Sequence, residues 1–283
     1  MTEPATTRSS QSGSSADHGA LLEHSYWDRH WAQGPKRYSD LRWLRGNYSY
    51  TVLDSLLRRV LPVDEHRTFM ELGSGPGRWL VYFNQTFKYR VFGCDDSPVS
   101  CDIARATLAA AGIDGTIIES DFFKLTGGAY DVVFTGGVIE HFEDPSVPLA
   151  VFARLLRPGG YLITSVPNLT GVNGFFHRVL KPETFVTHRR ITLAQMRAWH
   201  TGLGLRERLA TGYGSFSLLR MPGNAFAHRP RVQRYAYGPA YRVASAIVNR
   251  ACFFLHRSDV HIDYPWLSPN LLVVAQDPRP FTR

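Results

Sequence analysis

Apolar positions change their period several times along this chain. Tyr50, Leu53, Leu56, Leu57 and Val60 recur at helical spacing, which predicts an amphipathic helix over residues 49–61 packed on the elements downstream of it. Short apolar runs then alternate with helical stretches. Residues 69–72, 89–94, 116–120, 130–135 and 160–166 read as strands, and residues 78–86, 99–111 and 147–156 as helices. The last helix is expected to stop at Arg157-Pro158-Gly159-Gly160, which forms a turn. Strands alternating with helices of this length imply parallel pairing and right-handed crossovers, hence a doubly wound α/β sheet.

Beyond residue 166 the alternation breaks. Helical spacing returns over 193–200, an apolar strand comes next near 205–210, a helix is expected over 240–255, and 266–275 reads as a closing strand centred on Leu271 to Ala275. The domain reading is therefore a tail over 1–20, a helical cap over 21–62, and a main body over 63–283 with lid insertions at about 167–190 and 221–265. Ser, Thr, Gly and Ala dominate the tail, too little apolar surface to offset ordering, so it is expected to be disordered. The cap mixes Tyr26, Trp27, His30, Trp31, Tyr38 and Trp43 with charged residues, and is read as structural ahead of functional.

Composition narrows the class. A hydrophobic fraction of 44 % with 20 % charged residues fits a globular chain with a sizeable core. Three cysteines (Cys94, Cys101 and Cys252) form no paired motif, which argues against a disulfide framework or structural zinc. No apolar run approaches the roughly 18 residues of a membrane span, and no secretion signal is visible, so no stable membrane insertion and a cytoplasmic location are expected. The formal charge of +8 fits an anionic partner or mere solubility equally well.

The sharpest chemical signal is Glu71-Leu72-Gly73-Ser74-Gly75-Pro76-Gly77-Arg78 at a strand-to-helix junction. Glycines there let backbone approach a ligand, and the helix after them offers free N–H groups. A dinucleotide fingerprint needs glycine where Arg78 stands, so a nicotinamide site is disfavoured. Glu71 suits a ligand amine or amino-acid group better than a pyrophosphate. At the end of the second strand, Asp95 is placed to accept ribose hydroxyls, while Ser97-Pro98 fits a helix cap. After the third strand, Asp121 can hold an exocyclic amine and Phe122 can stack on a base.

In this order, these motifs resemble class I S-adenosylmethionine-dependent methyltransferases. The small-molecule branch with the ubiquinone-biosynthesis O-methyltransferases looks closest. The resemblance covers about residues 68–168, including Gly136 to Pro145 and Leu156 to Gly160, and extends to Asn270 to Ala275. It implies a Rossmann-like, seven-stranded, mostly parallel sheet with the last strand antiparallel. It also implies S-adenosylmethionine as cofactor, with Glu71, Gly73, Gly75 and Gly77 at its amino-acid moiety, Asp95 at the ribose, and Asp121 with Phe122 at the adenine. Ser74, Asp96, Gly136 and Gly137 are counted in the same site.

The methyl group is then expected to emerge near Glu140 and His141. His141 is either a general base for a hydroxyl or amine, or a histidine that only packs beside the cofactor. Ubiquinone-type enzymes resemble a divalent-metal site here, with an acid three residues before the Glu-His pair. That position is Gly137, and two ligands make a poor site, so no metal is expected. The stretch 167–190 offers His188 as a second base beside Phe175, Phe176, Phe185, Arg178, Lys181, Arg189 and Arg190. It reads either as a seat for an apolar anionic acceptor or as a solvated basic surface. The helix within 221–265 is a lid or a homodimer contact ahead of a membrane-surface helix. No base-amine loop or nucleic-acid-binding module is visible, so a small-molecule acceptor, first of all a hydroxyl, is expected over nucleic acid. Carbon or nitrogen methylation, and a protein that binds the cofactor without turnover, stay as alternatives.

Overall fold

A computed structural model describes residues 18–32, 38–45, 47–126, 130–180, 182, 184–215, 231–258, 260 and 262–281. Most of the expected tail, the stretch 216–230, and Lys181 lie outside the described residues. Three helices come first: α1 (His24–Ala32), α2 (Arg42–Arg45) and α3 (Tyr48–Val60). Strands β1 (Thr68–Leu72), β2 (Arg90–Asp95), β3 (Gly115–Glu119), β4 (Tyr130–Gly136) and β5 (Leu156–Pro167) then alternate with α4 (Arg78–Phe87), α5 (Pro98–Ala111) and α6 (Ser146–Arg154). Next come α7 (Val172–Leu180), α8 (Thr184–Thr187), α9 (Leu193–Gly202), β6 (Arg206–Tyr213), α10 (Arg231–Arg257) and β7 (Asn270–Gln276).

All seven strands join one sheet in the order β3-β2-β1-β4-β5-β7-β6. β7 runs antiparallel to both β5 and β6, and the pairings among β1 to β5 are parallel. The sheet is the seven-stranded, mostly parallel one that the motifs imply. Its two faces are filled by alternate residues of each strand. Phe69, Val132, Phe134, Ile163 and Leu272 pack on one side with Tyr48, Leu53, Phe83 and Phe87 from α3 and α4. Met70, Leu72, Val133, Leu162 and Val273 pack on the other with Leu149, Phe152 and Met196 from α6 and α9. Apolar packing on both faces is what a doubly wound parallel sheet requires.

Local chemistry sets the element ends. Ser97 caps α5 by accepting from Ser100 N at 3.2 Å, with Pro98 in the first turn, as the sequence predicts. A capping box of Thr192 and Gln195 starts α9. The expected helix end at residue 156 is corrected: α6 stops at Arg154, and Leu156 already pairs with Tyr130 in β5. The 157–160 turn is a bulge inside that strand, because Tyr161 next pairs with Val132. The lid over 167–190 is also more regular than expected, since it contains α7 and α8. Finally, the tail boundary shifts. His18 stacks on Phe123 at 3.9 Å and Ala20 bridges Phe142, so residues 18–20 belong to the fold. No helix among the described residues is long and apolar enough to cross a membrane.

One buried acid ties β1 to β4. Asp131, 1 % exposed, accepts at Oδ2 from Thr68 N at 2.7 Å and from Thr68 Oγ1 at 2.8 Å, with Arg157 at 3.4 Å. Asp131→Ala leaves two buried donors without an acceptor and is expected to cost about 2–4 kcal/mol of stability. Urea unfolding of the two proteins measures it; a difference below about 0.5 kcal/mol, ordinary for a surface site, would refute the role.

Candidate active site

The sheet order reverses between β1 and β4, and ligands of open α/β sheets bind at such a switch point, beyond the carboxyl ends of the strands. The turn after β1 is held there by backbone: Gly73 N and Ser74 N both donate to Cys94 O, at 2.9 and 3.1 Å. Gly75 N donates to Asp95 Oδ2 at 2.9 Å. Gly75 has φ +48, and a Cβ there would meet the Trp31 ring at 3.0 Å, so only glycine fits under the indole. Gly77, with φ +75, faces α5 instead, where a Cβ would press on Ala104 at 3.2 Å.

Two cavities meet at this turn, both lined by Trp31, Gly73, Gly75 and Gly136. The first adds Trp27, Asp95, Asp96, Phe122, Gly137 and His141. The second adds Glu71, Ser74, Tyr38, Arg78 and Trp79. Asp95 is buried, and loss of hydration raises its carboxyl to about 6 against the lowering effect of the N–H donors of Gly75 and Ser97. Asp121 accepts from Phe123 N at 2.9 Å through Oδ1, and its Oδ2 is buried without a partner. Phe122 stands beside it, wedged against Phe152 at 5.0 Å between ring centroids.

Glu71 is 3 % exposed and its Oε2 has no partner. Burial raises its carboxyl well above the usual range, and nearby Arg78 only partly opposes this. No carboxylate lies within ion-pair reach of Arg78 among the described residues. Its guanidinium is held by aromatic faces, 5.3 Å from the Tyr50 and Trp79 rings and 5.8 Å from Trp43. A partly buried cation and a buried acid thus line one cavity without pairing to each other, an arrangement complementary to a zwitterion.

At the other end, Glu140, His141 and His188 bring one ligand atom each within 4.8 Å of one another. His141 Nδ1 lies 2.7 Å from Thr187 O. A carbonyl only accepts, so Nδ1 carries the proton and Nε2 presents a lone pair. His188 Nδ1 lies 2.8 Å from Thr187 Oγ1 and 3.1 Å from Thr184 O. Burial, then the neighbouring His188, lowers His141 to about 4, so the ring is neutral at pH 7. Burial raises Glu140 to about 8, and its Oε2 is unpartnered. Counting ligands along the sequence missed His188, which supplies the third ligand atom where Gly137 lacks one.

Comparisons with known proteins bear on this geometry. Residues 70–164 match the family model for a methyltransferase domain. A ubiquinone biosynthesis O-methyltransferase from Sinorhizobium medicae is 30 % identical over 82 residues, 28 % of this chain and 33 % of that protein. Ribosomal RNA small subunit methyltransferase C from Citrobacter koseri is 28 % identical over 156 residues, 51 % of this chain and 46 % of that one. The chain spans about a third to a half of the length of the curated relatives it matches. Among solved structures, phosphoethanolamine N-methyltransferase 2 of Haemonchus contortus, with phosphomonomethylethanolamine and S-adenosylhomocysteine, superposes with a TM-score of 0.59. It is 14 % identical and covers 91 % of this chain and 61 % of that one. The [4+2]-cyclase SpnF also reaches 0.59 at 15 % identity, covering 93 % and 97 %.

Residues 70–164 are similar to a methyltransferase domain. Of the residues singled out from sequence, Glu71, Gly73, Ser74, Gly75, Asp95, Asp96, Phe122, Gly136, Gly137 and His141 line the crevice. Gly77 and Asp121 line neither cavity, and Glu140 sits behind them. Sequence reasoning missed Trp27, Trp31 and Arg78. The tryptophans stood in an aromatic cluster ahead of the first strand, and that density of rings on one short helix was the available signal.

The raised Glu140 carboxyl has a consequence for stability. The folded protein keeps a proton that the unfolded chain releases above pH 4.5, so wild-type stability falls as pH rises from 4.5 to about 8 and levels off beyond. Glu140→Gln removes this fall. Relative to wild type, the variant is expected to gain on the order of 5 kcal/mol between those limits, read by urea unfolding across the range. A difference independent of pH would mean that Glu140 is ionised in the folded protein.

Proposed function

We propose that the chain transfers the methyl group of S-adenosylmethionine to a small-molecule acceptor, first of all a hydroxyl, with His141 as general base. The observation that carries this reading is the fixed tautomer of His141 at the edge of the cofactor cavity, which leaves Nε2 as a proton acceptor. Bound S-adenosylmethionine supplies an electrophilic methyl carbon. In this reading His141 Nε2 would take the proton of the acceptor hydroxyl, and the cofactor would supply the methyl group that the oxygen receives. The lowered basicity of the buried ring limits its driving force, so alignment of the acceptor carries much of the rate. In this reading Asp95 takes the ribose hydroxyls, and Asp121 with Phe122 takes the adenine. Glu71 and Arg78 hold the ammonium and carboxylate of the amino-acid end.

A small acceptor is favoured over nucleic acid because α1 roofs the cavity: Trp27 sits edge-on to His141 at 5.0 Å, and Leu21 N donates to His141 O at 2.7 Å. A second reading rests on the Glu140, His141 and His188 cluster, whose mixed nitrogen and oxygen set suits a transition-metal ion that would activate the acceptor in place of a base. Dialysis against a chelator separates the two. Loss of turnover restored by the ion favours the metal, and unchanged turnover favours the base.

The test of the whole reading is transfer of labelled methyl from S-adenosylmethionine into a host extract, fractionated by molecular class. Label is expected in small molecules, and label in nucleic acid or protein would overturn the acceptor class. In the same assay His141→Ala is expected to slow turnover by about 10²-fold with cofactor affinity retained; an unchanged rate would leave His141 a packing residue. Arg78→Met should weaken S-adenosylhomocysteine binding about tenfold or more, while binding of 5′-methylthioadenosine, which lacks the amino-acid end, stays unchanged. Calorimetry showing equal losses for both ligands would take Arg78 away from the carboxylate.

A further inference from the structure

A third cavity opens on the far side of His188, lined by Arg178, Pro182, Phe185, His188, Arg189 and Arg190. Three arginines line it, and no carboxylate is among the described residues that do; Glu183, next to Pro182, lies outside the described residues. Arg58, Arg67, Arg105, Arg197 and Arg279 each pair with a carboxylate within 4 Å, whereas Arg178, Arg189 and Arg190 have no ion pair among the described residues. Cations gathered without a counter-charge repel one another, and an anion relieves that repulsion. Guanidinium groups also offer a planar fork of donors matched to carboxylate or phosphate oxygens.

Position ties this cavity to the methyl-transfer site. Arg189 N donates to Glu140 O at 2.7 Å, which fixes the lid backbone to the residue before His141. The His141 and His188 ring centroids are 4.3 Å apart, so the two cavities have adjoining histidines in their walls. His141 lines the first and His188 the second.

We infer that the basic cavity seats a carboxylate or phosphate carried by the acceptor, so that the acceptor is a small molecule with an apolar or aromatic body, an anionic group, and a methylatable atom that reaches the histidine pair. The body packs on Phe185 and Pro182, and the arginines hold the anionic end. This rests on the proposed function, because it names the acceptor class for that same site. A polyanion would need an extended basic track with stacking rings, whereas these six residues form one short basic patch beside His188.

The probes are phenyl phosphate, benzoate and the neutral benzyl alcohol, titrated by calorimetry into full-length protein saturated with S-adenosylhomocysteine. At least one of the two anions is expected to saturate, benzyl alcohol is not, and the stronger anion shows whether the seat favours phosphate or carboxylate. Arg189→Gln combined with Arg190→Gln should weaken that binding about tenfold or more and leave S-adenosylhomocysteine affinity unchanged, which also reports that the variant is folded. The exposed control pair Arg206→Gln with Arg208→Gln on β6 should bind as wild type does. Absence of saturable anion binding to wild type, an unchanged affinity in the Arg189 and Arg190 variant, or an equal loss in the control overturns the inference. So does a methylated product from the host extract that is neutral or a nucleic acid. Failure of wild type to bind S-adenosylhomocysteine is a separate result and removes the methyltransferase reading itself.

Discussion

Ionisable groups are expensive to hold out of water, and this fold does so repeatedly along one edge of its sheet. Glu71, Asp95 and Glu140 are all buried, and desolvation pushes each carboxyl upward. None of these groups is needed to build the sheet. The two apolar faces do that, with Phe69 and Met70 dividing β1 between them and Phe134 and Val133 doing the same for β4. Folding therefore tolerates strained electrostatics at the carboxyl ends of β1 and β4 because the layers on either side supply burial far in excess of that cost. Glu71 and Arg78 line one cavity there without an ion pair between them.

The order of the strands places those groups together. Glu71 and Asp95 are neighbours because β1 pairs with β2, and Gly75 N reaches the Asp95 carboxylate across that junction. Glu140 comes after β4, the other neighbour of β1, so the chemistry gathers where the chain reverses its direction of winding. Nothing in the side chains alone would bring them within reach; the right-handed crossovers do it.

Legibility in the sequence tracks how local each signal is. The five strands and three helices from β1 to β5 could be read because alternation and caps act over a few residues, as at Ser97 and Pro98. The glycine turn, Asp95 and Phe122 could be placed for the same reason, since each sits next to a strand end. The misreadings came from longer range. The helix end set at residue 156 failed because Leu156 is claimed by pairing with Tyr130, a contact across the sheet that no propensity encodes. Arg78 in the sequence speaks only against a dinucleotide, because its surroundings of Trp43, Tyr50 and Trp79 arise only when α2, α3 and α4 pack. His200 shows the contrast. It is as buried as His141, but Met196 O and Thr164 Oγ1 occupy both its ring nitrogens, so it is a core histidine with no lone pair to offer. Sequence alone does not separate two such residues.

His141 is where the three parts of the chain converge. The methyltransferase domain supplies the residue itself, on the short turn after β4. The segment before the domain supplies Trp27 against one side of its ring, and the lid after β5 supplies Thr187 and His188 against the other. The matched segment therefore sets only that a histidine lines the cavity after β4. Its tautomer is dictated by a carbonyl 46 residues further on, and its basicity by burial under α1 and by His188. Segments outside the matched 70–164 thus govern both the acid–base state of the centre and the shape of the space in front of it. A cyclase and a phosphoethanolamine methyltransferase share this fold, so the fold by itself does not fix the chemistry, and what surrounds His141 here comes from α1 and the lid as much as from the strands.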